Sequence, residues 1–269
     1  MIFKKEVWIT PYQMNRRLHI YVPQRAMEEG RRCPVLYMFD GHNLFEDQEA
    51  TYGKSWGLKD YLDHSGLPLI VVGMECNHEG NSRLVEYSPY TFTDHQFGTI
   101  AGSGRQMMRW VVDELKPLID RELPTLTSRK DTWIAGSSMG GLMSLYTITA
   151  HNDTFSKAAC LSPYLFPVRK DMERECRRPI DPDTRVYLSW GSSETRSKRS
   201  LSWISKTNLE MANLLNARRG PRAPEPGLGR DALRGLLGKR DPGVPALLPG
   251  VIWTAASTHE RCPCGRDSG

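Results

Sequence analysis

The sequence predicts an α/β protein whose mainly parallel sheet carries helices on both faces. Three observations carry that expectation: short apolar strand-like runs, helical periods set between the later ones, and a Gly/Ser turn at one strand–helix junction. The first runs are V-W-I-T-P-Y from Val7 and L-H-I-Y-V from Leu18. In the second, Leu18, Ile20 and Val22 alternate with His19 and Tyr21, the period of a half-exposed strand, and the close pair reads as antiparallel. The later runs are V-L-Y-M-F from Val35, L-P-L-I-V-V-G-M from Leu67, T-W-I-A from Thr132 and V-Y-L-S-W from Val186. They are nearly continuous in apolar residues, as strands covered on both faces are.

Three helical patterns lie among these runs. Met108, Val111, Val112, Leu115, Leu118 and Ile119 form one apolar face. A second helix runs from Met139 through Leu142, Leu145, Tyr146 and Ile148 to about His151-Asn152. The third spans about Leu201 to Asn216, with Ile204, Leu209, Met211, Leu214 and Leu215 inward. Strand and helix in alternation imply parallel pairing with helical crossovers.

The chain has 269 residues, 39% hydrophobic and 25% charged, enough for a sizeable core. No run approaches the ~20 apolar residues of a membrane-spanning helix, and M-I-F-K-K-E-V-W lacks the pattern of a secretory leader. The six cysteines have no disulfide-framework spacing, so a cytoplasmic location is expected. Cys262-Pro263-Cys264 has one residue between its thiols and no second pair, which argues against zinc there. The net charge of +5 is concentrated late: residues 218–269 hold nine Lys/Arg and five Asp/Glu, leaving +1 for residues 1–217. The body therefore has no electrostatic signature of nucleic-acid or membrane partners.

At Arg218 the texture changes. Residues 218–269 contain 16 Pro and Gly in 52 positions, against 25 in the preceding 217, and R-R-G-P-R-A-P-E-P-G-L-G-R-D has no hydrophobic period. The expectation is a globular domain over 1–217 and a disordered Pro/Gly/Arg-rich tail over 218–269.

Residues 131–141 read D-T-W-I-A-G-S-S-M-G-G, with Gly136 and Gly140 flanking Ser138 by two positions on each side. A strand turning sharply into a helix pushes its corner side chain outward, and only glycine-sized neighbours tolerate the crowding. The pattern reads as a nucleophile elbow with Ser138 at its tip; a plain Gly/Ser turn is the alternative. The N–H of Met139 is then one oxyanion donor, and the third strand's end, F-D-G-H-N-L-F, offers the N–H of His42 as the second. Asp40 either meets polar groups of a substrate or caps the loop. An activated serine also needs a base and an acid to orient it. Glu194, just past the strand that ends Y-L-S-W-G, is the candidate acid or a solvated surface group.

These residues resemble the esterase-D-like branch of the α/β-hydrolase superfamily, which includes feruloyl and siderophore esterases and, more distantly, mycolyltransferases. The matching pieces are V-L-Y-M-F-D-G-H-N-L-F, S-W-G from Ser55, and I-V-V-G-M-E-C-N-H-E-G-N-S-R-L-V-E-Y-S-P. V-D-E-L-K-P-L-I-D, G-S-S-M-G-G-L, L-S-P from Leu161 and Y-L-S-W-G-S-S-E complete them, in the family's order over most of 1–217. The resemblance implies a three-layer α/β-hydrolase sandwich with Ser138 as nucleophile and Glu194 as triad acid. It also implies a small-molecule ester substrate and no metal or organic cofactor.

The resemblance breaks at the base. The family closes with a strand and a loop of the form G-G-x-H-x-E-x-x-W, and this chain has none; its only histidine after Glu194 is His259, in S-T-H-E-R. Back-translation of Arg219 to Lys239, read one nucleotide later with permitted codons, can encode G-V-R-V-H-L-N-L-V-S-G-G-T-H-C-E-A-S-W-E. That is an alternating strand followed by the missing loop, starting where the composition changes. The sequence thus predicts a serine carboxylic-ester hydrolase weakened by a C-terminus of alternative frame, its last strand and helix replaced by the tail. The alternatives are a non-catalytic binder of ester-like or peptide ligands and an acyltransferase. Residues 77–104, with Arg83, Glu86, Tyr87 and Tyr90, suit a small polar ester or are surface loop residues.

Overall fold

The sheet has eight strands in the order β1-β2-β4-β3-β7-β8-β9-β10. The structure, a computed structural model, describes residues 1–191, 197–217 and 252–257. The strands are β1 Ile2–Ile9, β2 Met14–Tyr21, β3 Val35–Phe39, β4 Ile70–Met74, β5 Phe92–Asp94, β6 Gly98–Ile100, β7 Thr132–Ser137, β8 Lys157–Leu161, β9 Arg185–Gly191 and β10 Ile252–Ser257. The helices are α1 Gln24–Glu29, α2 Leu58–Ser65, α3 Ser82–Glu86, α4 Gly104–Trp110, α5 Lys116–Glu122, α6 Met139–Ala150, α7 Arg169–Cys176 and α8 Lys198–Asn216. β1 and β2 pair antiparallel, β2 meets β4 antiparallel, and every pair from β4 to β10 is parallel. β5 and β6 form a separate antiparallel pair.

Alternation along the central strands divides the core in two. Val35, Tyr37, Phe39, Val72 and Ile134 face a large cluster with residues of α4, α5, α6, α7 and α8. Leu36, Met38, Val71, Trp133 and Ala135 face the other side, where Leu44, Phe45 and the α2 residues Leu58 and Leu62 cover them. That is the period-two geometry of strands buried on both faces. All of α6 except Ala150 is buried. Its hydroxyls are satisfied locally: Ser144 donates to Gly140 O (2.8 Å), Thr147 to Met143 O (2.7 Å) and Thr149 to Leu145 O (3.2 Å).

The α4–α5 unit follows the predicted apolar face but is not a uniform helix. A π-helical turn over Val111–Leu115 joins its halves, and Pro117 lies in the first turn of α5. A proline inside a helix lacks a donor and its ring clashes with the carbonyl four residues back, so the wider turn accommodates Pro117. In α8 the buried residues are Thr207, Asn208, Met211, Ala212 and Leu215. Leu209, expected inward, is 46% exposed, because the inward stripe passes through Asn208 instead.

The largest departure from the sequence reading is β10. A disordered tail is expected over 218–269, yet Ile252–Ser257 pairs with β9 in parallel register, Ile252 opposite Val186 and Ser257 opposite Gly191. The run I-W-T-A-A-S is short, follows Pro249-Gly250 and is rich in strand-forming residues, a local signal that the composition of the whole stretch masks. The edge of β9 is therefore paired with β10. Among the described residues no helix is long and apolar enough to cross a membrane.

Candidate active site

β7 ends at Ser137 and α6 begins at Met139, so Ser138 alone makes the corner. Its backbone sits at φ +57° and ψ −116°, a conformation that costs a non-glycine residue about 1–3 kcal/mol. Three hydrogen bonds hold it there. Ser138 N donates to Leu161 O (2.9 Å), and Ser138 O accepts from Leu142 N (3.0 Å) and Tyr164 N (3.1 Å). The residue is exposed, between a half-buried Ser137 and a buried Met139. A strained, tethered and exposed serine at a helix N-terminus is the arrangement the G-S-S-M-G spacing predicts.

The flanking glycines are required by contact. A Cβ on Gly136 would lie 2.6 Å from the carbonyl carbon of Gly140. One on Gly140 would lie 2.9 Å from Phe39 Cβ and 3.5 Å from Asp40 Oδ2. Gly140→Ala is expected to destabilise the fold by about 1–3 kcal/mol through overpacking, read as a lower urea midpoint; an unchanged midpoint would contradict this contact.

The same contact joins the start of α6 to the turn after β3. Met38 lies opposite Ala135 in the β3–β7 ladder, so both strands release their chains side by side at the carboxyl edge of the sheet, the edge where α/β sheets place ligands. There Asp40 adopts φ +59° and leads into a 3₁₀ turn over Gly41–Asn43. Met139 and His42 each occupy the first turn of a helical segment, where an N–H has no acceptor within the helix. The His42 side chain is buried, and burial lowers its pKa despite the nearby Asp40 carboxylate.

Asp40 is engaged on both oxygens: Arg83 Nε donates to Oδ1 (2.7 Å) and Nη2 to Oδ2 (2.8 Å). The Asp40 N–H donates to the Tyr87 hydroxyl (3.2 Å), and the Arg83 guanidinium lies 5.3 Å from the centre of the Tyr87 ring. Glu86, also in the segment thought to shape a substrate pocket, is 4% exposed and grips Arg16 through two bonds of 2.9 and 2.6 Å. Arg83 and Tyr87 thus hold the Asp40–His42 turn, while Glu86 is bound to Arg16 of β2. Sequence reasoning missed these roles because Asp40 and Arg16 lie 43 to 70 residues away on other elements. Glu86→Ala strands the Arg16 charge and is expected to cost about 3–5 kcal/mol, whereas the paired change Arg16→Met with Glu86→Leu costs far less; equal losses in denaturant melts would contradict the pairing.

β9 ends at Gly191 on the same edge, tied to the elbow's neighbour by Ser162 N donating to Ser189 O (2.7 Å). Glu194, three residues further on, and His259, two residues past β10, lie outside the described residues.

Comparison with known proteins agrees with this architecture. The family described as "Putative esterase" matches residues 11–220, which take in β2 through α8 and leave β10 outside. The uncharacterized protein YbbA of Bacillus subtilis (strain 168) is 27% identical over 191 residues, 70% of this chain and 72% of that protein. An IroE-like serine hydrolase from Shewanella oneidensis superposes with a TM-score of 0.65 at 18% identity, covering 88% of this chain and 78% of that one. The enterobactin esterase FES from Shigella flexneri superposes with a TM-score of 0.61 at 17% identity, covering 80% of this chain and 50% of that one. The sheet order, the serine corner and a family match across β2 to α8 make this chain a member of that esterase family, with the fold of an α/β-hydrolase.

Proposed function

We propose that the chain is a serine-dependent carboxylic ester hydrolase whose activity is limited by a missing general base. The observation that carries it is the corner itself: Ser138 is exposed at φ +57°, at the N-terminus of α6, whose Gly140 packs against Phe39 and Asp40. In this reading Ser138 Oγ attacks the acyl carbon of a small-molecule ester. The N–H groups of Met139 and His42 receive the developing oxyanion, and Glu194 is the acid that would orient a histidine. Asp40 acts through Arg83, keeping the turn in place instead of touching substrate. The catalytic domain is residues 1–217, and residues 219–269 are an alternative-frame C-terminus that replaces the family's histidine loop. No cofactor takes part in this chemistry.

One observation favours a second reading of the base. β10 runs parallel to β9 and ends at Ser257, so the chain leaves the sheet's carboxyl edge two residues before His259. In that reading His259 replaces the family's histidine. The test is turnover of p-nitrophenyl acetate by the chain, Ser138→Ala and His259→Ala. The leading reading expects a slow rate that Ser138→Ala removes and His259→Ala leaves unchanged. A large loss in His259→Ala supports the second reading, and a rate indifferent to Ser138 overturns both.

A further inference from the structure

Two imidazoles and a thiol that ester hydrolysis leaves unused come together beside the Asp40–His42 turn. His42 belongs to that turn, and Cys76 and His78 lie just past the end of β4. The atoms with which these three could each ligate a metal all lie within 4.8 Å of one another. The two rings meet edge to face with centroids 4.6 Å apart, and Cys76 Sγ is 3.8 Å from His78 Nδ1.

The outer side of the cluster is already organised. His78 Nε2 donates to Glu75 Oε1 (3.1 Å), since a carboxylate can only accept. His42 Nε2 is hydrogen-bonded to Thr51 Oγ1 (2.9 Å). The Glu75 bond leaves Nδ1 as the available nitrogen of His78, and with Nε2 donating to Thr51 the same holds for His42. His42 Nδ1 is buried and has no hydrogen-bond partner among the described residues, on a side chain that is itself 6% exposed. An unpartnered buried polar atom is costly and calls for an explanation. Carboxylate–histidine pairs such as Glu75–His78 are the usual outer support of a metal-ligating imidazole.

We propose that His42 Nδ1, Cys76 Sγ and His78 Nδ1 bind one zinc ion, with water as the fourth ligand. Two imidazoles and one thiolate suit zinc in tetrahedral geometry and do not suit the oxygen-seeking cations. On binding, the Cys76 S–H bond breaks, the sulfur keeps the electron pair and donates it to zinc, and the proton passes to solvent. His42 also carries the proposed oxyanion N–H, so bound zinc would pin the turn beside Ser138. The site rests on its own three residues and does not require the esterase reading.

The experiment is titration of the metal-free full chain with Co²⁺, followed by displacement with Zn²⁺. The expected result is one Co²⁺ per chain, tetrahedral visible absorption and a thiolate-to-cobalt charge-transfer band, all bleached by one equivalent of Zn²⁺. Cys76→Ser removes the band, and His78→Ala, at an exposed position, weakens zinc binding by at least ~10-fold while the thermal transition is retained. The Cys262→Ser, Cys264→Ser double variant keeps both signals. Ser138→Ala binds zinc as tightly as the parent, which separates this proposal from the hydrolase reading. No stoichiometric binding, or a band that survives Cys76→Ser and vanishes in the double variant, overturns the proposal.

Discussion

Replacing residues 219–269 with the shifted-frame strand and loop, G-V-R-V-H-L-N-L-V-S-G-G-T-H-C-E-A-S-W-E, is expected to raise kcat/KM for p-nitrophenyl acetate by roughly 10⁴-fold. The size follows from what a serine hydroxyl lacks by itself. At neutral pH it is protonated and weakly nucleophilic, and a strained corner exposes it without removing its proton. Oxyanion donors alone retain some catalysis over water, because they act on the tetrahedral intermediate whatever generates it. In the proposed mechanism, a histidine delivered beside β9 and oriented by Glu194 would supply the missing proton transfer in both directions. The new strand would take the place along β9 that β10 holds in the present chain. A folded hybrid with the original slow rate would contradict the assignment of the missing base to that loop.

Ser138→Ala in the same hybrid is expected to return the rate to background, a loss of similar size, since nucleophile and base act as one unit and their contributions do not add. Ser137→Ala is the matched control. Ser137 ends β7 with ordinary strand pairing to Leu161, whereas Ser138 alone has the positive φ that turns its side chain out of the sheet. The control is expected to stay within a few-fold of the parent hybrid. Comparable losses at both positions would mean that the corner is packing and not chemistry.

Much of the architecture was legible in the sequence, for identifiable reasons. The strands at Val35, Ile70 and Thr132 are short apolar runs buried on both faces, a pattern with few competing explanations, whereas β9 buries one face through Val186, Leu188 and Trp190 and half-buries the other. The strand–helix corner at Ser138 was legible because steric contact dictates its glycines: Gly136 and Gly140 touch backbone and Phe39 closely enough to exclude any side chain. What escaped depends on partners distant in sequence. Leu209 fits a helical period but lies one position off the stripe that packs inward. Arg83 and Glu86 look like loop residues available to a substrate until Asp40 and Arg16 are seen to hold them. The His42, Cys76 and His78 cluster was hidden because β3 and β4 become neighbours only in the folded sheet. β10 was missed because the composition of its surroundings outweighed its own six residues.

The central proposal is that Ser138 is the nucleophile of a hydrolase short of its base. It is tested most directly by the rate and position of phosphonylation when the chain and the shifted-frame hybrid are treated with a fluorophosphonate and digested for mass spectrometry. The account predicts one adduct, on Ser138, in both proteins, forming slowly in the chain and roughly 10³-fold or more faster in the hybrid. A folded hybrid that carries no adduct on Ser138 would contradict it.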